Sequence, residues 1–426
     1  MKASTGKRRR VLIIVENLPV PFDRRVWSEA TTLAQNGFDV SVVSPALKDY
    51  ETPYEVVDGV HIYRHPLLQS DDTAFGYLKE YASALYWQFR LALRVRRERG
   101  FDVIHACNPP DLMFTVAAFF KLFFRTKFVF DHHDLSPELY ESKFERRDIF
   151  WAALKLFERL TFATADVSIA TNDSYRQVAI ERGRMREENV FVVRSGPNLK
   201  KLQIQAPKEE LKKGADHLIG YVGVIGRQEG LDLLIEAARS VIAERGRGTT
   251  HFAIVGAGPK LDAMKALAEE RGVADHFTFY GRASDDVLLD VLNTADICVN
   301  PDRATEMNDK STMNKIMEYM ALGKPIVQFD LYEGRQSAGG ASLYARRDDP
   351  EDFAKKICQL IVQKGKRERM GALGRERVAT RLSWEHSVPH LLHAYERVFE
   401  KRTSRSIDAA KAVVAAAAST RVEASQ

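Results

Sequence analysis

HLIGYVGVIG, residues 217–226, follows a polar and charged stretch, QAPKEELKKGAD (205–216), and begins the pattern of the chain a second time. The run is nearly all apolar and closes on glycine, as expected of a strand buried on both faces of a parallel sheet. HFAIVGAGP (251–259), FTFYGR (277–282), ADICVNP (295–301) and KPIVQFD (324–330) follow, with helical stretches between them. Upstream, the same alternation has already run once, through VLIIVEN (11–17), FDVSVVSP (38–45), FDVIHACNP (101–109), KFVFDHHD (127–134), ADVSIATND (165–173) and VFVVRSGPN (190–198). Strand and helix patterns in alternation predict an α/β fold: two Rossmann-like domains, each a parallel sheet covered by helices. Ligands of such sheets lie beyond the carboxyl ends of the strands, so two facing domains enclose an interdomain cleft. The expected boundaries are 1–204 for the first domain and 205–382 for the second. An amphipathic helix at 383–402 is expected to return toward the first domain, and a disordered Ala/Ser-rich tail covers 403–426.

A chain of 426 residues suits two domains. Cys107, Cys298 and Cys358 lie far apart and form no CxxC pair, which argues against a disulfide framework or a zinc site and fits a reducing cytoplasm. The basic start MKASTGKRRR precedes only VLIIV, too short for a secretory signal. No run of about 18 apolar residues is present, so no spanning helix is expected. A net charge of +5 permits anionic partners without arguing for nucleic acid.

The most informative stretch for chemistry is NDKSTMNKIMEYMALGKP (308–325). Ser311 or Thr312 can cap a helix beginning near Met313, whose free N–H groups would face the cleft and suit a diphosphate. Lys315 in the first turn adds a point charge. Glu318, one turn on, can accept hydrogen bonds from two ribose hydroxyls. The plain alternative is an amphipathic helix with exposed Lys and Glu. At 131–134, DHHD closes a strand; alternation sends His132 and His133 to opposite faces, which argues against a shared metal. In ENLPVPFDRR (16–25), Asp23 can cap the next helix, and Arg24 and Arg25 open it.

MNKIMEYMALGKPIV resembles the donor-site motif of glycosyltransferase family 4, which has the GT-B fold. YVGVIGRQEGLDLLIEA, IVGAGP, FTFYGR, FVFDHHDLSPELY and VENLPVPFDRRVWSEATTLAQNGFDVSVV resemble further segments of that family in the expected order, across roughly residues 10–400. EGRQSAGGASLYA (333–345) resembles the branch that builds bacterial surface polysaccharides. The resemblance implies an N-terminal acceptor domain and a C-terminal nucleotide-sugar domain. His133 and Glu318 match the active-site His and the second Glu of the E-x7-E element. Gly223, Gly226, Arg227, Gly256, Gly258, Arg282, Thr312, Met313, Asn314 and Lys315 complete the implied donor site. Asn17, Arg24, Arg25, Asp134 and Glu138 are the implied acceptor side. The chain departs from the family in three places. Lys310 stands where the first Glu is expected, with Asp309 and Glu306 nearby but out of register. Val224 and Glu229 stand where Arg and Lys are expected, leaving Arg227 and Lys315 to neutralise a diphosphate.

The implied chemistry is retaining transfer of a hexose-type sugar from a nucleotide sugar to a glycan hydroxyl, with no cofactor and no metal. FRLALRVRRERG (89–100), FFKLFFRTK (119–127) and IFWAALKLFERLTF (149–162) mix aromatics with Arg and Lys. They suit either sheet-covering helices or peripheral contact with the cytoplasmic membrane face, as a lipid-linked acceptor would require. Three rivals are weighed. A dinucleotide oxidoreductase is disfavoured because Leu261 stands at the third glycine of G-x-G-x-x-G. The others are a catalytically impaired sugar-nucleotide-binding subunit and a nucleotide-sugar epimerase of similar architecture.

Overall fold

The computed structural model of the chain describes residues 8–47, 49–67 and 74–400. Its first sheet contains β1 (Arg10–Ile14), β2 (Asp39–Ala46), β3 (Tyr54–Val57), β4 (Val60–Pro66), β5 (Val103–Cys107), β6 (Lys127–His132), β7 (Val167–Ala170) and β8 (Val190–Val192), in the order β3-β4-β2-β1-β5-β6-β7-β8. All neighbours run parallel except β3 and β4, a hairpin turned at Asp58 and Gly59, both at positive φ. That Asp-Gly pair suits a two-residue hairpin turn. The strand pattern read from the sequence had left this edge hairpin out.

The second sheet contains β9 (His217–Val222), β10 (Thr250–Val255), β11 (Phe277–Gly281), β12 (Ile297–Asn300), β13 (Ile326–Phe329) and β14 (Ser342–Ala345). It is wholly parallel, in the order β11-β10-β9-β12-β13-β14. The strand order turns back between β1 and β5 in one sheet and between β9 and β12 in the other, which opens a crevice at each carboxyl edge. The crevices face each other.

The helix Trp384–Phe399 joins the core of the first domain. Trp384, Leu391, Tyr395 and Val398 pack with Val11, Val103 and Val167. Each such burial stabilises by about 1.5–3 kcal/mol before entropy is counted. Trp384 Nε1 donates to Thr32 Oγ1 at 3.0 Å, and the Tyr395 hydroxyl lies 2.9 Å from His105 Nδ1. Two connections between the domains therefore cross side by side. A Cβ on Gly196 would lie 2.2 Å from the Leu382 carbonyl oxygen, so only glycine lets the two strands of chain pass. The polar stretch 205–216 is held to the second domain: Gln205 N donates to Asn293 Oδ1 and Lys208 N to Thr294 Oγ1. The expectation for 403–426 lies outside the described residues.

Candidate functional site

The floor of the cleft in the second domain is built from glycines. A Cβ on Gly256 would sit 1.7 Å from the Gly223 carbonyl oxygen, and one on Gly258 2.4 Å from that of Ile225. The loops after β9 and β10 thus touch backbone to backbone, held by Gly223 N to Val255 O and Ile225 N to Ala257 O, both 3.0 Å. Gly226 donates its N–H to Glu229 at 3.1 Å, and a Cβ there would meet the same carboxylate.

Above this floor starts the helix Asn314–Ala321. Its N-cap is Met313, and no side chain caps it. This corrects the expected capping by Ser311 or Thr312, whose hydroxyls bond elsewhere. Ser311 Oγ donates to Met307 O and lies 3.0 Å from the Tyr175 hydroxyl, while Asn172 Nδ2 donates to Thr312 Oγ1 at 3.0 Å and to Lys310 O at 2.8 Å. Tyr175 and Asn172 belong to the first domain, so these bonds hold the helix start across the cleft. The result is an uncapped positive helix end at the carboxyl edge of the sheet.

Lys315 is less free than expected. Its Nζ lies 2.8 Å from Asp302 Oδ1 and 4.9 Å from the Tyr221 ring centroid. Burial raises the Asp302 carboxyl against the pull of Lys315. Glu229 is raised by burial and then by Asp302. Arg227 pairs with Glu145 of the first domain, both exposed, and Arg282 lies over the Phe22 ring at 5.1 Å. Both contacts span the cleft. Asn314 is exposed beside them, and Met313 is half-buried.

Glu318 reaches the same gap. Its Oε1 accepts from Arg24 Nη1 at 2.9 Å, and Arg24 Nη2 lies 2.7 Å from Asp285. Burial raises the Glu318 carboxyl, Arg24 draws it down and Asp285 pushes it up. With Asn314, Ser195 and Arg24 it lines a cavity of about 480 Å³. Lys310 pairs with Glu306 at 2.7 Å. Asp309 is held by Arg347 and by the backbone N–H of Tyr332, so it does not stand in for the missing Glu.

On the opposite wall, His133 follows β6 and is partly exposed. Its Nε2 lies 2.5 Å from Asp131 Oδ2, a contact that needs a proton between them. Arg25 Nε lies 3.0 Å from the same nitrogen, so Nε2 is taken up by Asp131 and Arg25 together, and Nδ1 makes no hydrogen bond among the described residues. Asn108 clamps the loop: its Oδ1 accepts from His133 N at 2.7 Å, and its Nδ2 donates to Asp134 O at 2.7 Å. Burial raises the Asp134 carboxyl. His132 points away, as alternation required, among Phe130, Phe162 and Tyr175. Burial lowers its ring to about 3, and neither nitrogen has a hydrogen-bond partner among the described residues.

Two acceptor-side expectations need correction. The Arg25 side chain is buried and donates to Asp131 at 2.7 Å, Val193 O at 2.7 Å and Ser195 Oγ at 3.0 Å, with Glu29 at 3.1 Å. It supports Asp131 from within and does not present its guanidinium to an acceptor phosphate. Glu138 gives both oxygens to Arg182, which also binds Glu158, so it holds the helix Ser136–Phe144 in place. Asn17 is exposed after β1, and Arg24 stays at the cleft.

Glu29, Cys107, Asp131 and His133 converge closely enough to hold a metal ion. The Arg25 guanidinium already stands between the two carboxylates. Arg25 and His133 hold Asp131 well below the usual range despite burial, whereas burial raises Glu29 well above it. One arginine balances one carboxylate while the other keeps its proton. Sequence reading missed Asp131, Asn108, Asn172 and Asp285 as site residues. Only Asp131 carried a signal, two residues before His133 and so on the same strand face.

Two family models match the chain: "Glycosyl transferase 4-like domain" over residues 23–196 and "Glycosyl transferases group 1" over residues 216–363. An uncharacterized glycosyltransferase of Methanocaldococcus jannaschii, MJ1607, is 23% identical over 391 residues, covering 87% of this chain and 93% of that protein. The GDP-mannose-dependent alpha-(1-6)-phosphatidylinositol monomannoside mannosyltransferase of Mycobacterium tuberculosis is 29% identical over 169 residues, 37% of this chain and 42% of its own length. A 2-deoxystreptamine N-acetyl-D-glucosaminyltransferase of Streptomyces fradiae is 28% identical over 31% of each chain. The chain thus spans less than half the length of these last two relatives. Among solved structures, sucrose-phosphate synthase of Thermosynechococcus elongatus superposes with a TM-score of 0.76 at 18% identity, over 92% of this chain and 99% of that one. HepE of Anabaena with UDP and glucose gives 0.69 at 16% identity, over 91% and 100%. With both domain models matched in order on two facing parallel sheets, the chain belongs to the family 4 type of glycosyltransferases with the GT-B fold.

Proposed function

We propose that the chain transfers a hexose-type sugar, with retention, from a nucleoside diphosphate sugar to a hydroxyl of a lipid-linked glycan in surface polysaccharide synthesis. The observation that carries this reading is the uncapped start of the helix Asn314–Ala321, with Glu318 one turn on, facing the lobe that holds His133. In this mechanism the first-turn N–H groups, Lys315 and Arg227 hold the diphosphate, and Glu318 accepts from two ribose hydroxyls. His133 Nδ1 accepts a hydrogen bond from a hydroxyl of the sugar. As the bond from the anomeric carbon to the diphosphate breaks, the acceptor oxygen adds on the same face and its proton passes to a diphosphate oxygen. The protein stabilises the charge that develops on the leaving group and supplies no nucleophile. The reading uses no metal, because a fixed arginine occupies the one cluster of ligating side chains found among the described residues.

The same reading puts the enzyme at the cytoplasmic face of a membrane, as a peripheral protein. Among the described residues no helix is long and apolar enough to cross one. Leu122, Phe123 and Ile149 are exposed by 76%, 64% and 79%, beside Arg and Lys side chains, which suits contact with an anionic bilayer.

A thermal-shift screen with UDP, GDP and ADP, with and without EDTA, tests the donor side. One nucleotide should stabilise the protein, EDTA should not change the shift, and Glu318→Ala should remove most of it. No shift with any nucleotide would overturn the reading, and a shift lost on chelation would overturn its metal-free part. The pairing of Lys310 with Glu306 and the carboxylate at Glu229 favour a second reading, a binding subunit without turnover. Hydrolysis assays on UDP- and GDP-sugars separate the two, since only the enzyme releases sugar.

A further inference from the structure

A second cavity, of about 150 Å³, lies in the first domain behind the helix Ser136–Phe144. Pro110, Leu112, Leu139, Phe144, Ala153 and Phe157 are among the residues of its lining, whose surface is almost wholly apolar. A cavity of this size takes a small apolar group about as large as benzene. It is open at one side. Of its lining, Phe150 is 47% exposed, and Ile149 beside it is 79% exposed.

Two features say what kind of molecule would enter. The first is charge. Arg146 lies 5.6 Å over Phe144 and 6.0 Å over Tyr140, two lining rings. Arg147 and Lys155 flank Trp151, one residue beyond Phe150. Arg146 and Arg147 also pair with Asp148 and Glu141, so this side mixes both charges with aromatic rings, as suits the bilayer interface into which a hydrocarbon tail would leave. The second is continuity with the cleft. Leu139, Tyr140 and Phe144 of the helix Ser136–Phe144 face the cavity, while Glu141 and Ser142 of the same helix line the interdomain gap with Arg227 and Glu306. Asp111 and Ser136, two polar residues of the lining, are bonded or close to Asn108, the residue that clamps the His133 loop. A chain lodged here would put its head group within reach of the site.

We infer that this cavity seats the head-proximal stretch of the acceptor's hydrocarbon chain, about one isoprene-sized unit, with the rest of the chain leaving past Phe150 and Ile149. The inference rests on the lipid-linked acceptor of the proposed function and names where the lipid is gripped.

The test uses the full chain and a dodecyl phosphate bearing a photoreactive diazirine on its fourth carbon, below its micelle concentration. Labelled peptides are mapped by mass spectrometry. Labelling should concentrate in 139–144 and 150–157, and unlabelled dodecyl phosphate should compete where ethyl phosphate does not. Ala153→Phe, which fills the cavity, should cut labelling at least tenfold and leave the nucleotide thermal shift unchanged. Leu139→Trp fills it from the other wall and keeps the test open should Ala153→Phe fold poorly. Labelling scattered over the surface, or equal in the filled variants, would overturn the inference. So would binding to anionic vesicles that falls with Ile149→Glu while the cavity peptides stay unlabelled, for then the patch touches the bilayer only. Loss of the nucleotide shift in the unaltered protein would instead strike at the transferase reading itself.

Discussion

Arg24 holds Glu318 at 2.9 Å across the cleft. A ribose that takes the Glu318 oxygens must first separate that pair, so Arg24→Ala should tighten nucleotide binding. The Arg24 side chain is 56% exposed and that of Glu318 16%, so the pair sits half in solvent. Pairs of this kind contribute about 1 kcal/mol or less. Asp285, 77% exposed, adds little to Arg24's anchoring. At 1.4 kcal/mol per tenfold, Kd should fall by roughly two- to fivefold. Isothermal titration with the nucleotide that gives the thermal shift measures it, and the gain should shrink in high salt, which screens the pair in the unaltered protein. A pH effect accompanies it. Burial raises the Glu318 carboxyl and Arg24 draws it down, so removing Arg24 raises it further. Ribose binding needs the ionised form; affinity is lost as pH falls through this pKa, and the loss should come at higher pH in the variant. Binding weakened tenfold at neutral pH would refute the reasoning, for Arg24 would then be a ligand of the nucleotide and not its competitor.

Three further perturbations follow from the same geometry. Gly256→Ala forces a methyl into the Gly223 carbonyl and should cost about 1–3 kcal/mol or more in urea unfolding and abolish the nucleotide shift; a variant that binds normally would show the two loops are not packed as described. Asp131→Asn leaves Arg25 buried without its strongest partner and frees the His133 ring. It should destabilise by about 3–5 kcal/mol and slow sugar transfer more than it weakens nucleotide binding; a loss under 1 kcal/mol by urea titration would contradict the buried pair. Glu158 shares Arg182 with Glu138, and burial raises its carboxyl to about 7. A raised acid binds its proton more tightly when folded, so it lowers stability as pH rises from its unfolded value of about 4.5 toward 7. Glu158→Gln should flatten the fall in Tm over that window, and an unchanged Tm profile between pH 5 and 8 would show the group does not titrate there.

Much of the fold was readable because buried parallel strands declare themselves as short apolar runs, and eleven of them are spread over the two sides of one polar stretch. The β3–β4 hairpin escaped because an edge strand alternates exposed and half-buried residues, YEVV, and lacks the continuous run. β14 escaped because SLYA is only four residues long and follows a glycine pair. The site was legible in part. Glu318 and His133 could be placed by one-turn and two-residue periodicities, which are local. Arg25 could not, since an arginine at a helix start reads as surface charge until the strand carrying Asp131 is packed against it.

The sequence by itself therefore determined two parallel sheets, the helix that begins near residue 314, and the opposite facing of His132 and His133, because each follows from backbone periodicity and nearest neighbours. Only the tertiary structure decided which charges are available. Arg25, Glu138 and Lys315 all look free in one dimension, yet each lies against a carboxylate or guanidinium from a distant segment. Ion pairing depends on separation in space and on burial, and distance along the chain fixes neither.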